Sequence, residues 1–156
     1  MKIPYVDLKL QWAEERDELL PIIDRILSEA SHVGGNEIKL FEENIKKIVK
    51  TNYAVALNSG TDALTLSLHL LGVKAGDEVI TPPNSFIAST SVIVHLGAKP
   101  IFVDVKSDQL IDSKKIEASI TENTKAIMPV HLTGRMCDMD AIMKISEKYN
   151  IPVIED

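Results

Sequence analysis

Tyr53-Ala54-Val55-Ala56-Leu57 leads through Asn58-Ser59-Gly60-Thr61-Asp62 into Ala63-Leu64 and a stretch with apolar residues at helical spacing as far as Leu71. A short apolar run that reads as a strand thus feeds a helix through a turn of Ser, Gly and Thr. Such a turn leaves unpaired backbone N–H groups at the positive end of the helix dipole, with two hydroxyls beside them, and that arrangement receives a phosphate. Ser, Thr and Asp are equally the ordinary N-cap residues, so the turn alone leaves an anion site and a plain helix start both open.

The alternation continues beyond the turn. Glu78–Thr81, Pro100–Val105, Lys125–Val130 and Pro152–Glu155 read as further strands, and helical spacing covers Asp62–Leu71, Phe86–Leu96, Ser113–Ile120 and Met139–Tyr149. Counting Tyr53–Leu57, five strands separated by four helices predict an α/β unit on a mainly parallel sheet flanked by helices. Before the turn, Trp12–Ala30 carries Leu19, Ile22, Ile23, Ile26 and Leu27 under a charged face, with Pro21 placed to kink or divide it. Val33-Gly34-Gly35-Asn36 breaks that pattern, and Glu37–Lys50 resumes it. The expected organisation is a helical segment over residues 1–52 and the first part of an α/β domain over 53–156. The last strand-like run stops at Asp156 with no helix to cover it, which predicts the amino-terminal part of a larger protein.

Ligands gather beyond the carboxyl ends of strands in a parallel sheet. Those ends carry Asn58 to Thr61, Thr81 to Phe86, Asp104, His131 and Glu155-Asp156. Composition narrows the ligand further. The 156 residues are 45% hydrophobic, enough to bury one sizeable core. A balance of 17 basic against 23 acidic residues, net charge -6, with scattered lysines, speaks against a nucleic-acid surface. No apolar run approaches the ~20 residues that span a bilayer, and Met1 to Gln11 lacks the order of a signal peptide, so a cytoplasmic protein is expected. Cys137 is the single cysteine and reads as an inert thiol, and the four histidines share no metal-ligand spacing, so no metal site is expected.

Several segments, in order along nearly the whole chain, resemble the amino-terminal half of the DegT/DnrJ/EryC1/StrS sugar aminotransferases, pyridoxal phosphate enzymes of the aspartate aminotransferase fold (fold type I). They are Val33-Gly34-Gly35 with Phe41-Glu42, Asn58 to Leu64, Gly76 to Ile80, Ser85-Phe86-Ile87-Ala88, and Gly97 to Pro100 leading to Phe102-Val103-Asp104. Thr124 to Ile127 with Pro129-Val130-His131-Leu132, and Ile154-Glu155-Asp156, complete the set. The resemblance implies that Gly60 and Thr61 bind the cofactor phosphate, that Phe86 stacks on its pyridine ring, and that Asp156 pairs with the ring nitrogen as the catalytic carboxylate. It places His131 at the same edge, where a direct contact and a structural role are both open. Without the family pattern, Phe86 reads as core, and Glu155-Asp156 reads equally as a functional pair or as a merely polar strand end.

The resemblance further implies amino transfer, from glutamate as donor, to a keto group of a nucleotide-linked deoxysugar, for polysaccharide or glycosylated-metabolite synthesis, in a homodimer. The cofactor-bonding lysine of the family lies beyond the aspartate, and no lysine here stands in a matching motif, so this stretch alone is expected to be inactive. A sugar dehydratase of the same family, with histidine in place of that lysine, and a non-catalytic cofactor-binding remnant are the alternatives. A nicotinamide-binding domain fits the alternation, but Asn58 to Thr61 lacks the three spaced glycines that such a turn requires.

Overall fold

The computed structural model describes residues 4–156, and the chain divides into two compact units, Met1–Ala56 and Leu57–Asp156. Residues 1–3, which open the stretch read for a leader and the segment 1–52, lie outside the described residues.

The first unit holds α1 (Leu8–Ser28) and α2 (Asn36–Val49). Asp7 caps α1 by accepting from the Leu10 N–H at 3.1 Å. Pro21 lies inside α1 without dividing it, contrary to one of the two expectations; the helix goes on past the N–H that proline lacks. Gly35 caps α2, and a Cβ there would sit 2.3 Å from the Ser31 carbonyl oxygen, so only glycine fits this close approach. Arg25 Nη2 lies 2.6 Å from Glu37 Oε1 and ties the two helices at the surface. The expected strand at Tyr53–Leu57 does not form. The Ala56 N–H donates to Glu42 Oε1 at 2.9 Å, the Thr51 hydroxyl donates to the Tyr53 carbonyl at 2.9 Å, and Tyr53 and Val55 are 86% and 74% exposed. Its composition favours extended backbone, but no strand among the described residues pairs with it.

The second unit is a parallel sheet with helices on both faces. Strands β1 (Glu78–Thr81), β2 (Lys99–Phe102) and β3 (Thr124–Ile127) pair in the order β2-β1-β3. Residues 152–156 run beside β3 without a full strand: Val153 bridges Ile127 in parallel, and Asp156 N–H donates to the Pro129 carbonyl at 3.0 Å. Three of the five expected strands therefore form as strands, and one more as a bridged edge. The run read as 100–105 ends at Phe102 because the chain turns back, with Val105 bridging Ile111 antiparallel and Gln109 at φ 69°. The expected helix over Ser113–Ile120 is one α-turn, α5 (Ser113–Ile116), followed by a 3-10 turn (Glu117–Ser119).

Strand alternation sorts the core. Val79, Ala126 and Met128 face α3 (Gly60–Leu70) and α4 (Ile87–His95) and pack with Leu64, Leu68, Val92 and Ile93. Ile80 and Ile127 face the other way, onto Ile116 of α5 and Ile142 of α6 (Met139–Tyr149). Burying each such side chain contributes roughly 1.5–3 kcal/mol relative to exposure, so two layers clamp the sheet. That clamp holds the N-termini of α3 and α4 beside the residues that follow β1 and β3.

Candidate cofactor site

Gly60, Thr61, Phe86, His131 and Asp156 line one cavity of about 420 Å³, together with Ser85 and Ser89. The five residues singled out from sequence thus come together, although they stand on four separate segments.

At α3, Ser59 Oγ accepts from the Asp62 N–H at 3.1 Å and the Ala63 N–H donates to the Ser59 carbonyl at 3.1 Å. The amides of Gly60 and Thr61 find no acceptor among the described residues, so the helix start presents two free donors to the cavity. A Cβ on Gly60 would meet nothing within 4 Å, and its backbone is helical. Neither strain nor the protein's own packing calls for glycine there; the glycine leaves open space at the start of α3, where the two amides lie.

Phe86 caps α4 with extended backbone (φ -63°, ψ 146°) and is 75% exposed. Its ring is not part of the core of the described residues and lines the cavity. Asp156 is anchored through its backbone, its N–H to Pro129 and its carbonyl accepting from the His131 N–H at 2.8 Å. Its Oδ2 accepts from Ser89 Oγ at 2.5 Å, and Ser89 Oγ lies 2.7 Å from Ser85 Oγ.

His131 has both ring nitrogens engaged. The Cys137 backbone N–H donates to Nδ1 at 3.2 Å, so Nδ1 carries no proton, and Nε2 at 2.8 Å from Glu155 Oε2 then bears the N–H that donates to that carboxylate. The ring is held in one tautomer at the cavity rim. Cys137 Sγ donates to the Val130 carbonyl at 3.2 Å, and burial pushes its thiol up, which agrees with an unreactive cysteine.

The remaining strand-end carboxylate, and the acidic and basic side chains at other element ends, lie elsewhere. Asp104 pairs with Lys115 at 3.3 Å outside the cavity, and the Val105 N–H together with Lys115 holds its carboxyl below the usual range. Asp138 caps α6 through the Ala141 N–H. Lys99 and Lys125 stand at the amino ends of β2 and β3, and Lys99 Nζ is 3.5 Å from Glu78 Oε1. Among the described residues no three His, Cys, Asp or Glu side chains gather as a metal site, and no helix is long and apolar enough to cross a membrane. Sequence reasoning missed Ser89 and the role of Ser85. Their one signal is a four-residue spacing next to Phe86, which does not reveal a partner 67 positions away.

Comparison with known proteins adds to this geometry. The model of the DegT/DnrJ/EryC1/StrS aminotransferase family matches residues 13–156. The UDP-2-acetamido-2-deoxy-3-oxo-D-glucuronate aminotransferase of Pseudomonas aeruginosa is 41% identical over 155 residues, 99% of this chain and 43% of that protein. The crystal structure of S. venezuelae DesV superposes with a TM-score of 0.95 at 37% identity, covering 99% of this chain and 42% of DesV. NtdA from Bacillus subtilis, solved with bound cofactor PMP, superposes at 0.94 with 36% identity, covering 99% of this chain and 36% of NtdA. The chain therefore spans less than half the length of the relatives it matches. With its ordered motifs, its fold and the family model in agreement over nearly every residue, the chain belongs to the DegT/DnrJ/EryC1/StrS aminotransferase family.

Proposed function

We propose that this chain forms the cofactor-binding side of a pyridoxal phosphate-dependent aminotransferase that moves an amino group, with glutamate as donor, onto a keto group of a nucleotide-linked deoxysugar. The observation that carries the reading is a single cavity with two free amides over a glycine at one place in its wall, an exposed aromatic ring at another, and an anchored carboxylate at a third.

The residues present fit the group. The Gly60 and Thr61 amides, the Thr61 hydroxyl and the α3 dipole would hold the phosphate, with the open side of Gly60 giving it space. Phe86 would cover a face of the ring and exclude water from it. Asp156 would hold the proton on the ring nitrogen, since a carboxylate there favours the protonated ring. Bound at this position, pyridoxal phosphate supplies an electron sink for the charge left when the amino donor loses its α-proton. His131, fixed by Cys137 and Glu155, lines the same cavity and would stand beside the bound group while keeping the segment after β3 in place.

The same reading makes the protein cytoplasmic and homodimeric. The half-exposed stripe of Leu19, Ile22 and Ile23 on α1 suits a subunit face. The nucleotide-sugar substrate rests on the names of relatives such as the UDP-sugar aminotransferase of P. aeruginosa. The test is Asp156→Asn in the full-length protein. Amino transfer should fall by about 100-fold or more, roughly 2.7 kcal/mol of barrier, with melting unchanged. Normal turnover by this variant, or a wild-type protein that takes up no pyridoxal phosphate, would overturn the reading.

A further inference from the structure

We propose that Ser89 is a positioning residue for the Asp156 carboxylate, and that Ser85 orients Ser89 in turn; the inference rests on the cavity being a pyridoxal phosphate site. Ser89 is 1% exposed within α4, and among the described residues its Oγ hydrogen-bonds to two atoms, Asp156 Oδ2 at 2.5 Å and Ser85 Oγ at 2.7 Å. A buried serine inside a helix ordinarily returns its hydroxyl to a carbonyl one turn back. Ser89 instead reaches a side chain 67 residues further along the chain.

Proton counting sets the direction. Serine has one O–H to give, and an ionised carboxylate can only accept. The Ser89 proton therefore points at Asp156, and the Ser85 hydroxyl must donate to Ser89. The two hydroxyls form a one-way chain that ends on the carboxylate.

The consequence lies in geometry rather than stability. The backbone bonds to Pro129 and His131 fix where Asp156 starts, but not its side-chain rotamer. Ser89 fixes that rotamer relative to α4, the helix that Phe86 opens, so the group over the ring face and the group at the ring nitrogen share one frame. Oδ2 is committed to Ser89, while Oδ1 has no partner among the described residues and is left to accept a ring N–H. A misplacement of such a carboxylate is costly because charge-assisted hydrogen bonds depend strongly on distance and angle.

The test measures binding of pyridoxamine 5'-phosphate to the full-length protein by fluorescence titration, which needs neither turnover nor a covalent bond to the protein. Ser89→Ala should raise Kd about tenfold, equivalent to ~1.4 kcal/mol, and Ser85→Ala about threefold. In an Asp156→Asn background, Ser89→Ala should change Kd by less than about twofold, because the effect passes through the carboxylate. An equal tenfold loss in both backgrounds, or no loss in either, overturns the proposal. If Ser89→Ala does not fold, Ser85→Ala in the two backgrounds carries the same comparison. A wild-type protein that fails to bind the probe at all overturns instead the cofactor reading on which the proposal stands, so the two failures are distinct.

Discussion

Replacing Gly60 by alanine should make the protein more stable and a poorer binder of its cofactor. The backbone at Gly60 is helical, a Cβ there meets nothing within 4 Å, and the residue opens α3, so alanine fits the free protein without strain. Glycine to alanine at a compatible helical position stabilises by about 0.4–1 kcal/mol, mostly by restricting the unfolded chain, which corresponds to a rise in Tm of about 1–4 °C. The new methyl group would occupy the space over the free amides of Gly60 and Thr61 that a phosphate needs. Crowding of one methyl in a filled site costs about 1–3 kcal/mol, or roughly 5- to 150-fold in Kd. The assay pairs melting of the cofactor-free protein with titration by pyridoxal phosphate, and the opposite signs are the signature. A variant that binds as tightly as the wild type would refute the phosphate site at Gly60, and one that melts lower would refute the reading of its free space.

Phe86 is mostly solvent-exposed, so Phe86→Ala should change stability by less than about 0.5 kcal/mol while raising the cofactor Kd at least fivefold; equal affinity would remove the ring from the site. His131→Ala leaves the Cys137 N–H without an acceptor and should cost about 1–3 kcal/mol in urea unfolding, whereas His131→Asn, with an oxygen near the place of Nδ1, should recover much of it; an Ala variant of full stability would show that this bond does no structural work. Burial raises the Cys137 thiol, so the folded protein keeps that proton to higher pH than the unfolded chain does. Its contribution is complete below the unfolded value of about 8.5 and is lost as pH climbs through the raised folded value. Cys137→Ser should flatten the fall in stability above that pH, and a thiol reagent should modify Cys137 only on unfolding; rapid labelling of the native protein would contradict both.

The parts of the fold that were legible are those written in local pattern. Glu78–Thr81 and Met139–Tyr149 form with the bounds their periodicity predicts, because an apolar run and an amphipathic stripe carry their burial pattern in their own residues, whichever partners they meet. Tyr53–Leu57 shows the limit: its composition reports a preference for extended backbone, while a strand needs a partner that composition does not name. Val105 likewise left the sheet to bridge Ile111 through a left-handed Gln109, a turn with no glycine to announce it. Within the site, helix-end physics marked the Gly60–Thr61 turn as an anion site or a plain helix start, and the resemblance was needed to choose between them. Phe86 and Asp156 needed the family resemblance, since a lone aromatic and a terminal carboxylate carry no spacing signal. The Ser85–Ser89 pair was invisible because hydroxyls in a helix acquire meaning only from a distant partner.

The most direct measurement is a crystal structure of the full-length protein with pyridoxal phosphate. The account predicts one molecule in this cavity, its phosphate oxygens within hydrogen-bond distance, about 2.7–3.2 Å, of the Gly60 and Thr61 amides and its ring nitrogen equally close to Asp156. A cofactor whose phosphate lies away from the start of α3, or whose ring nitrogen faces a group other than Asp156, would contradict it.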